Sequence, residues 1–265
     1  MPAYTYMYSL YSSLAYCKPA EIQALYTDLS DVSEDAKLVR KCIELPTFIN
    51  NEETHTQGFI FKTGAEIIVA CRGTDNLYDC FDDLQICLVP LKVPNHAACN
   101  VHEGFLRQSN GLLKIIKTLI DEVHSSKIKL VFTGHSLGAA IASICSVIVS
   151  AQTSKDVYMY GYGCPKVGDA QFKAVFNKLI TNCTLVKFGA DPFTKVMIGN
   201  AYQHVANFKH YGPIDNHPEL VLLTDAFDHN IKNYVLAEQS LPITETNWWQ
   251  KLMIKATTAI LSWLK

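Results

Sequence analysis

Two rhythms of apolar and polar positions run along the chain. Residues 58–74, "GFIFKTGAEIIVACRGT", hold two apolar runs either side of Thr63-Gly64-Ala65, which predicts a β-hairpin. "FLRQSNGLLKIIKTLIDEVHSS" places apolar residues at 112, 113, 115, 116, 119, 120 and 123, the spacing of one amphipathic helix. "IKLVFTG" then predicts a strand, and "LGAAIASICSVIVSAQ" a helix rich in small residues. "DVYMYGYG" and "CTLVKFGA" predict two more strands, with helical "AQFKAVFNKLI" between them. "YQHVANF" and "ELVLL" are candidates to extend the sheet, and residues 19–30 and 36–44 carry short helical patterns. Strands alternating with amphipathic helices predict an α/β fold with a mostly parallel central sheet flanked by helices.

Composition narrows the class. The chain has 265 residues, 49% apolar and 18% charged, enough to bury a sizeable core and unlike a disordered chain. The net charge of −2 and the lack of a Lys/Arg-rich run argue against a nucleic-acid partner. No linker-like stretch divides the chain before about residue 240, so we expect one domain over 1–246 and a separate helix over 247–265. The first eighteen residues, "MPAYTYMYSLYSSLAYCK", lack a basic start, and tyrosines and serines interrupt their apolar character, which does not fit a signal peptide. No apolar run is long enough to predict a membrane-spanning helix. The nine cysteines are odd in number and show no CxxC or paired Cys/His spacing. We read them as reduced thiols in a cytoplasmic protein, with no metal and no cofactor.

The chemistry centres on "VFTGHSLGAA", residues 131–140. A serine hydroxyl is a poor nucleophile by itself. It needs a base, a group that orients the base, and donors aimed at the oxyanion. Gly-x-Ser-x-Gly between a strand and a helix serves such chemistry by lifting the serine hydroxyl above the sheet on a sharp turn, which makes Ser136 the candidate nucleophile. The backbone N–H of Leu137 is then a candidate oxyanion donor. Asp191 follows the strand "TLVKFGA" and is the candidate acid, with Asp156 and Asp169 as competitors. Asp156 precedes its strand, and Asp169 has the position of a helix cap. For the base, His204, His210, His217 and His229 all come later in the chain, and order alone does not choose between them.

With these blocks in hand, the chain resembles the class 3 lipases, a family with the α/β-hydrolase fold. "VACRGT" resembles the family's oxyanion segment, "VHEGFL" its Val-His-x-Gly-Phe block, and "FTGHSLGAA" its nucleophile elbow. "YGYGCPKVGD" resembles the Gly-x-Pro-Arg-Val-Gly block, with Lys166 where the family usually has arginine. "GADPF" and "FDHNIKNY" resemble the segments that carry the catalytic aspartate and histidine. The resemblance spans roughly residues 58–235 and implies His229 as the base beside Ser136 and Asp191. It also implies Thr74 as the second oxyanion donor, with Asp83 or its neighbour Asp82 supporting the Thr74 hydroxyl. Arg72 and His102 are expected to be structural.

The activity implied is hydrolysis of lipid esters through an acyl-enzyme. Triacylglycerols, mono- and diacylglycerols, phospholipids at the A1 position and small esters are all open as substrates. The family's lid falls at residues 75–90, "DNLYDCFDDLQICLVP", where Cys80 aligns with a position that is often tryptophan. The tail "NWWQKLMIKATTAILSWLK" gathers Trp249, Leu252, Met253, Ala256, Ile260, Trp263 and Leu264 on one helical face, with lysines largely outside it. That pattern suits a helix lying on a membrane surface or one docked on the protein's own core. The reading from another class is a lipase-like binding module without catalysis.

Overall fold

Alternating burial along the central strands creates the two faces on which everything else is stacked. The computed structural model describes residues 2–27, 45–74, 87–124, 128–153, 156–195, 201–212 and 229–239. Strands β1 (Thr47–Asn51), β2 (Thr56–Lys62) and β3 (Glu66–Cys71) form an antiparallel meander. Helices α1 (Pro2–Leu14) and α2 (Pro19–Thr27) precede them. The two-stranded ribbon β4 (Leu88–Leu91) and β5 (Cys99–His102) follows, then α3 (Glu103–Ile115) and α4 (Lys117–His124). The chain returns through β6 (Lys129–His135), α5 (Leu137–Thr153), β7 (Val157–Tyr162), α6 (Ala170–Leu179) and β8 (Asn182–Phe188). It ends with a 3₁₀ turn (Pro192–Lys195), β9 (Phe208–Tyr211) and α7 (Ile231–Gln239).

The sheet order is β1-β2-β3-β6-β7-β8-β9, and every pairing from β3 to β9 is parallel. This is the mostly parallel α/β sheet that the periodicity predicts. On β3, Ile67, Val69 and Cys71 enter one apolar cluster, and Ile68 and Ala70 enter the other. On β6, Leu130 and Phe132 face the first cluster and Val131 the second. The first cluster lies under α3, α4, α5 and α6, and the second under α1 and α7. Helix α5 is buried almost all round because its small residues let it approach the strands closely.

Several elements differ from the pattern-based expectation. The single helix expected over 105–126 is two helices that break at Ile116, whose N–H bonds Leu112 O while its own carbonyl accepts from Ile120. Leu112, Ile116, Leu119 and Ile120 all remain in one core, so the break keeps the buried stripe continuous. The strand expected over 202–208 starts only at Phe208; Tyr202 and Val205 are instead core side chains. Strands β1, β4 and β5 are too short to show a period. "ELVLL", residues 36–44, residues 75–86 (with Cys80, Asp82 and Asp83) and the tail 247–265 lie outside the described residues. Of residues 75–90, only 87–90 are described, and they lead into and begin β4.

The opening segment, for which no element was expected, is a core helix. Its tyrosines and serines read as interruptions in sequence, yet Tyr8, Ser9 and Ser12 are buried with their hydroxyls hydrogen-bonded. Tyr8 is 1% exposed, stacks on Tyr160 and donates its hydroxyl to Glu66, which also pairs with Lys129 at 2.8 Å. Ser12 Oγ reaches both Tyr8 O and Thr133 Oγ1, and Ser9 Oγ bonds Tyr6 O. Each hydroxyl keeps its helix or strand bonded, so the burial cost of the polar group is offset locally.

Helix α7 packs against α1 and carries a buried acid, Glu238. Neither of its carboxylate oxygens has a partner in hydrogen-bond geometry among the described residues. Burial raises its pKa to about 7, although Thr5, Lys209 and Tyr211 lie near enough to favour the charge. A carboxyl that is harder to ionise when folded binds more protons in the native than in the unfolded state, between its ordinary pKa and about 7. Stability from this group is therefore full below that window and is lost as the pH rises through it. Glu238→Gln should gain roughly 2–3 kcal/mol relative to the parent between acid and mildly alkaline pH. Urea unfolding at both pH values checks this; a pH-independent difference would sink it.

Candidate active site

The C-terminal ends of the parallel strands carry the site. Residue 136 is where β6 turns into α5, and Ser136 holds φ +58°, a left-handed conformation unusual for a residue with a side chain. Its N–H donates to Tyr162 O at 2.8 Å, tying the turn to β7. The flanking glycines make the turn possible. A Cβ on Gly134 would lie 2.4 Å from Gly138 C, and one on Gly138 would lie 2.2 Å from Cys71 O. Leu137 opens α5, and the first N–H groups of a helix have no partner within it. Thr74 follows β3, the parallel neighbour of β6, and is half-buried. The two segments run side by side: a Cβ on Gly73 would sit 2.7 Å from His135 O.

Asp191 sits just past β8, at the same end of the sheet. Its Oδ1 accepts from Phe193 N at 2.9 Å, and His229 Nδ1 lies 2.9 Å from Oδ1 and 2.8 Å from Oδ2. Both side chains are fully buried. Tyr234, on α7, also donates its hydroxyl to Asp191 Oδ2. Burial is the largest single influence on this carboxyl and opposes its charge. The hydrogen bond and charge of His229, the Tyr234 hydroxyl and the nearby His135 together outweigh it and hold the pKa below its ordinary value. Asp191 is therefore an anion, and it takes the hydrogen on His229 Nδ1, which leaves Nε2 as the ring nitrogen turned away from the carboxylate. His229 Nε2 and Ser136 Oγ are both buried, and neither has a hydrogen-bond partner among the described residues. This chemistry suits proton abstraction from an alcohol.

The other candidates lie elsewhere. Asp156 precedes β7 at the opposite end of the sheet. Asp169 caps α6, accepting from Phe172 N at 2.7 Å, and also holds Asn100. His210 Nε2 bonds Gly189 O, and His204 packs edge-on against Phe208 with its pKa lowered to about 4, mainly by burial. His217 and Asp83 fall outside the described residues. His102 caps α3, taking a hydrogen bond from Phe105 N on Nδ1, and stacks on the Phe105 ring. Arg72 lies over the Tyr16 ring.

Three further residues about the site had not been singled out: Tyr16, His135 and Tyr234. His135 was in view inside Gly-His-Ser-Leu-Gly, but its pattern carried no sign of its partners. Tyr234 is the aromatic that closes "HNIKNY". Among the described residues no group of three His, Cys, Asp or Glu side chains is placed to hold a metal ion, and no helix is long and apolar enough to cross a membrane.

Comparison with known proteins places the chain in a family and a fold. Residues 68–200 match the family described as Lipase (class 3). A lipase of Rhizomucor miehei is 28% identical over 173 residues, 62% of this chain and 46% of that protein. Phospholipase A1-II 1 of Oryza sativa subsp. indica is 35% identical over 135 residues, 42% of this chain and 34% of that protein. Secreted mono- and diacylglycerol lipase 1 of Fusarium solani is 27% identical over 158 residues, 57% of this chain and 46% of that protein. The match thus spans less than half the length of each of these relatives. Among solved structures, lipase II from Rhizopus niveus superposes with a TM-score of 0.66 at 16% identity, covering 86% of this chain and 92% of that one. The Rhizomucor miehei lipase–propeptide complex gives a TM-score of 0.63 at 22% identity, covering 81% of this chain and 69% of that one. These likenesses show the α/β-hydrolase fold.

Gly163 offers a structural test of the site. It holds φ +57°, and a Cβ there would lie 2.7 Å from Asp191 Oδ2, 2.9 Å from His229 Cε1 and 2.9 Å from Tyr234 Oη. Gly163→Ala should destabilise the fold by more than about 1–2 kcal/mol, the cost of the left-handed backbone alone. Denaturant unfolding measures it; a neutral substitution would show that the Asp191–His229–Tyr234 cluster is loosely held.

Proposed function

Because the chain belongs to the class 3 lipases, we propose that it is a serine ester hydrolase that cleaves acyl-glycerol esters of lipids through an acyl-enzyme. The observation that carries this reading is the buried Asp191–His229 pair, set at the same end of the sheet as a serine on a left-handed strand–helix turn. In the mechanism, His229 Nε2 takes the proton of Ser136 as Oγ attacks the ester carbonyl. The Ser136–His229 hydrogen bond closes when substrate is bound, a contact that is often loose in the free enzyme. Asp191 fixes the ring tautomer and offsets the positive charge that builds on it. The backbone N–H groups of Thr74 and Leu137 hold the oxyanion, with Asp83 steadying the Thr74 hydroxyl. His229 then passes its proton to the departing alcohol. A water activated by the same ring releases the fatty acid and restores Ser136. No cofactor takes part.

The substrate belongs to the lipid esters. A second reading, an A1-type phospholipase, is supported by the 35% identity to the rice protein of that name. The proposal places the chain in the cytoplasm, where the seven described cysteines, all free, remain reduced. Residues 247–265 act as a peripheral membrane contact that brings the enzyme to an insoluble substrate.

Hydrolysis of p-nitrophenyl butyrate and palmitate by the parent protein and by Ser136→Ala, with and without anionic liposomes, tests the reading. The parent should turn over both esters, faster on palmitate once liposomes are present, and Ser136→Ala should lose at least about 10³-fold. Release of the sn-1 fatty acid from phosphatidylcholine vesicles decides the phospholipase reading. If parent and Ser136→Ala are equally inert while the protein still binds liposomes, it is a binding module instead.

A further inference from the structure

His135 precedes the nucleophile candidate and is 3% exposed, yet both of its ring nitrogens are engaged. Nε2 lies 2.7 Å from the backbone carbonyl of His229, and Nδ1 lies 2.8 Å from the Tyr16 hydroxyl. A carbonyl oxygen only accepts, so Nε2 carries the hydrogen. In a neutral ring Nδ1 is then the acceptor, and Tyr16 donates to it. The two bonds run in one direction, from the segment after α1, through the elbow, to the main chain of the base.

We propose that His135 is a positioning residue for the reaction: as a neutral ring with hydrogen on Nε2, it holds the His229 backbone so that Nε2 of His229 stays aligned on Ser136. This rests on the reading of Ser136 and His229 as nucleophile and base. His229 is the candidate that must hold its place most closely, yet it lies between residues 213–228, which are not described, and α7. Its side chain is held by Asp191. That bond and the Phe193 ring hold the imidazole itself; the bond from His135 fixes the carbonyl of the main chain that carries it. The anchor comes from the residue bonded to Ser136 itself, so nucleophile and base move together. Displacement of a catalytic group by about 1 Å costs on the order of 100-fold in rate, which makes such a tie worth a buried polar ring.

The neutrality of His135 matters for the same reason. Its ring centroid is 4.5 Å from that of His229, where positive charge builds during attack. A second cation there would oppose that charge. Burial, and then the proximity of His229, lower the His135 pKa to about 3 against the opposing pull of Asp191. Tyr16 belongs to the same device. It fills the space beside the oxyanion segment, where a Cβ on Gly73 would come within 2.2 Å of its hydroxyl, and Arg72 covers its ring. One chain of contacts therefore relates the oxyanion segment, the elbow and the base.

Two amide substitutions separate the halves of the tie. The amide nitrogen of Gln reaches the position of Nε2, whereas Asn reaches only that of Nδ1. His135→Gln should keep kcat on p-nitrophenyl butyrate within about threefold of the parent, and His135→Asn should lower it about 100-fold with KM nearly unchanged. The rate of labelling by a fluorophosphonate should fall in parallel. A merely structural role would move both variants alike, so equal kcat values for Gln and Asn overturn the proposal. Nitrogen-15 NMR of the unsubstituted protein provides a check that does not depend on the variants folding. The expected result is an Nε2–H tautomer that does not titrate near neutral pH; an Nδ1–H tautomer or a near-neutral titration overturns the tie. An unsubstituted protein that neither hydrolyses esters nor reacts with the fluorophosphonate overturns the proposed function, and the inference with it. A parent active only through Ser136, with Asn equal to Gln, overturns the inference alone.

Discussion

The parallel register of β3, β6, β7 and β8 is the constraint on which the rest of the site depends. Cys71 pairs with Gly134, and Gly134 with Gly161, so neighbouring strands end level with one another. Parallel strands all leave the sheet at the same edge, and each one delivers its next residues there. The segment with Thr74, the turn with Ser136, Gly163 and the loop with Asp191 thus emerge side by side. An antiparallel pairing at any of these positions would send one of them to the far end. That geometry also explains the position of Asp156, which precedes its strand and sits where no partner for Ser136 can reach it.

Packing reinforces the register. Helix α5 carries so many small residues that it lies directly on the strands, and this closeness forces the tight turn at residue 136. On the other face, α1 and α7 pack on the sheet and on each other. Helix α7 follows His229 directly and brings Tyr234 to Asp191, so the face of the sheet opposite α5 completes the polar cluster. The charge on Asp191 is sustained in full burial by three donors, Phe193 N, His229 and Tyr234, together with the nearby imidazoles of His229 and His135. Such a group is costly to assemble and rigid once assembled.

Local chemistry in the sequence foreshadows much of this. The Gly-His-Ser-Leu-Gly turn is legible because its requirements are local: an apolar strand before it, small residues after it and glycine at two close approaches. The cap at Asp169 is legible for the same reason. The choice among four histidines is not, since nothing in the order of the chain says which ring meets Asp191; a family resemblance singles out His229, and the folded chain brings that ring to 2.8 Å from the carboxylate. The opening helix is misleading by pattern alone. Its tyrosines and serines read as a broken apolar run because their partners, Glu66, Thr133 and Tyr160, are more than fifty residues away.

By itself the sequence determines the alternation of strands and helices, the sharp turn at Ser136 and the acid that follows a strand, all of which depend on residues close in the chain. Tertiary structure alone decides which histidine meets that acid, that Tyr234 shares it, and that His135 links Tyr16 to the His229 backbone. Each of these rests on a hydrogen bond between groups brought together by sheet register and helix packing. No periodicity records such a bond, because direction and distance in space, rather than spacing along the chain, determine whether it forms.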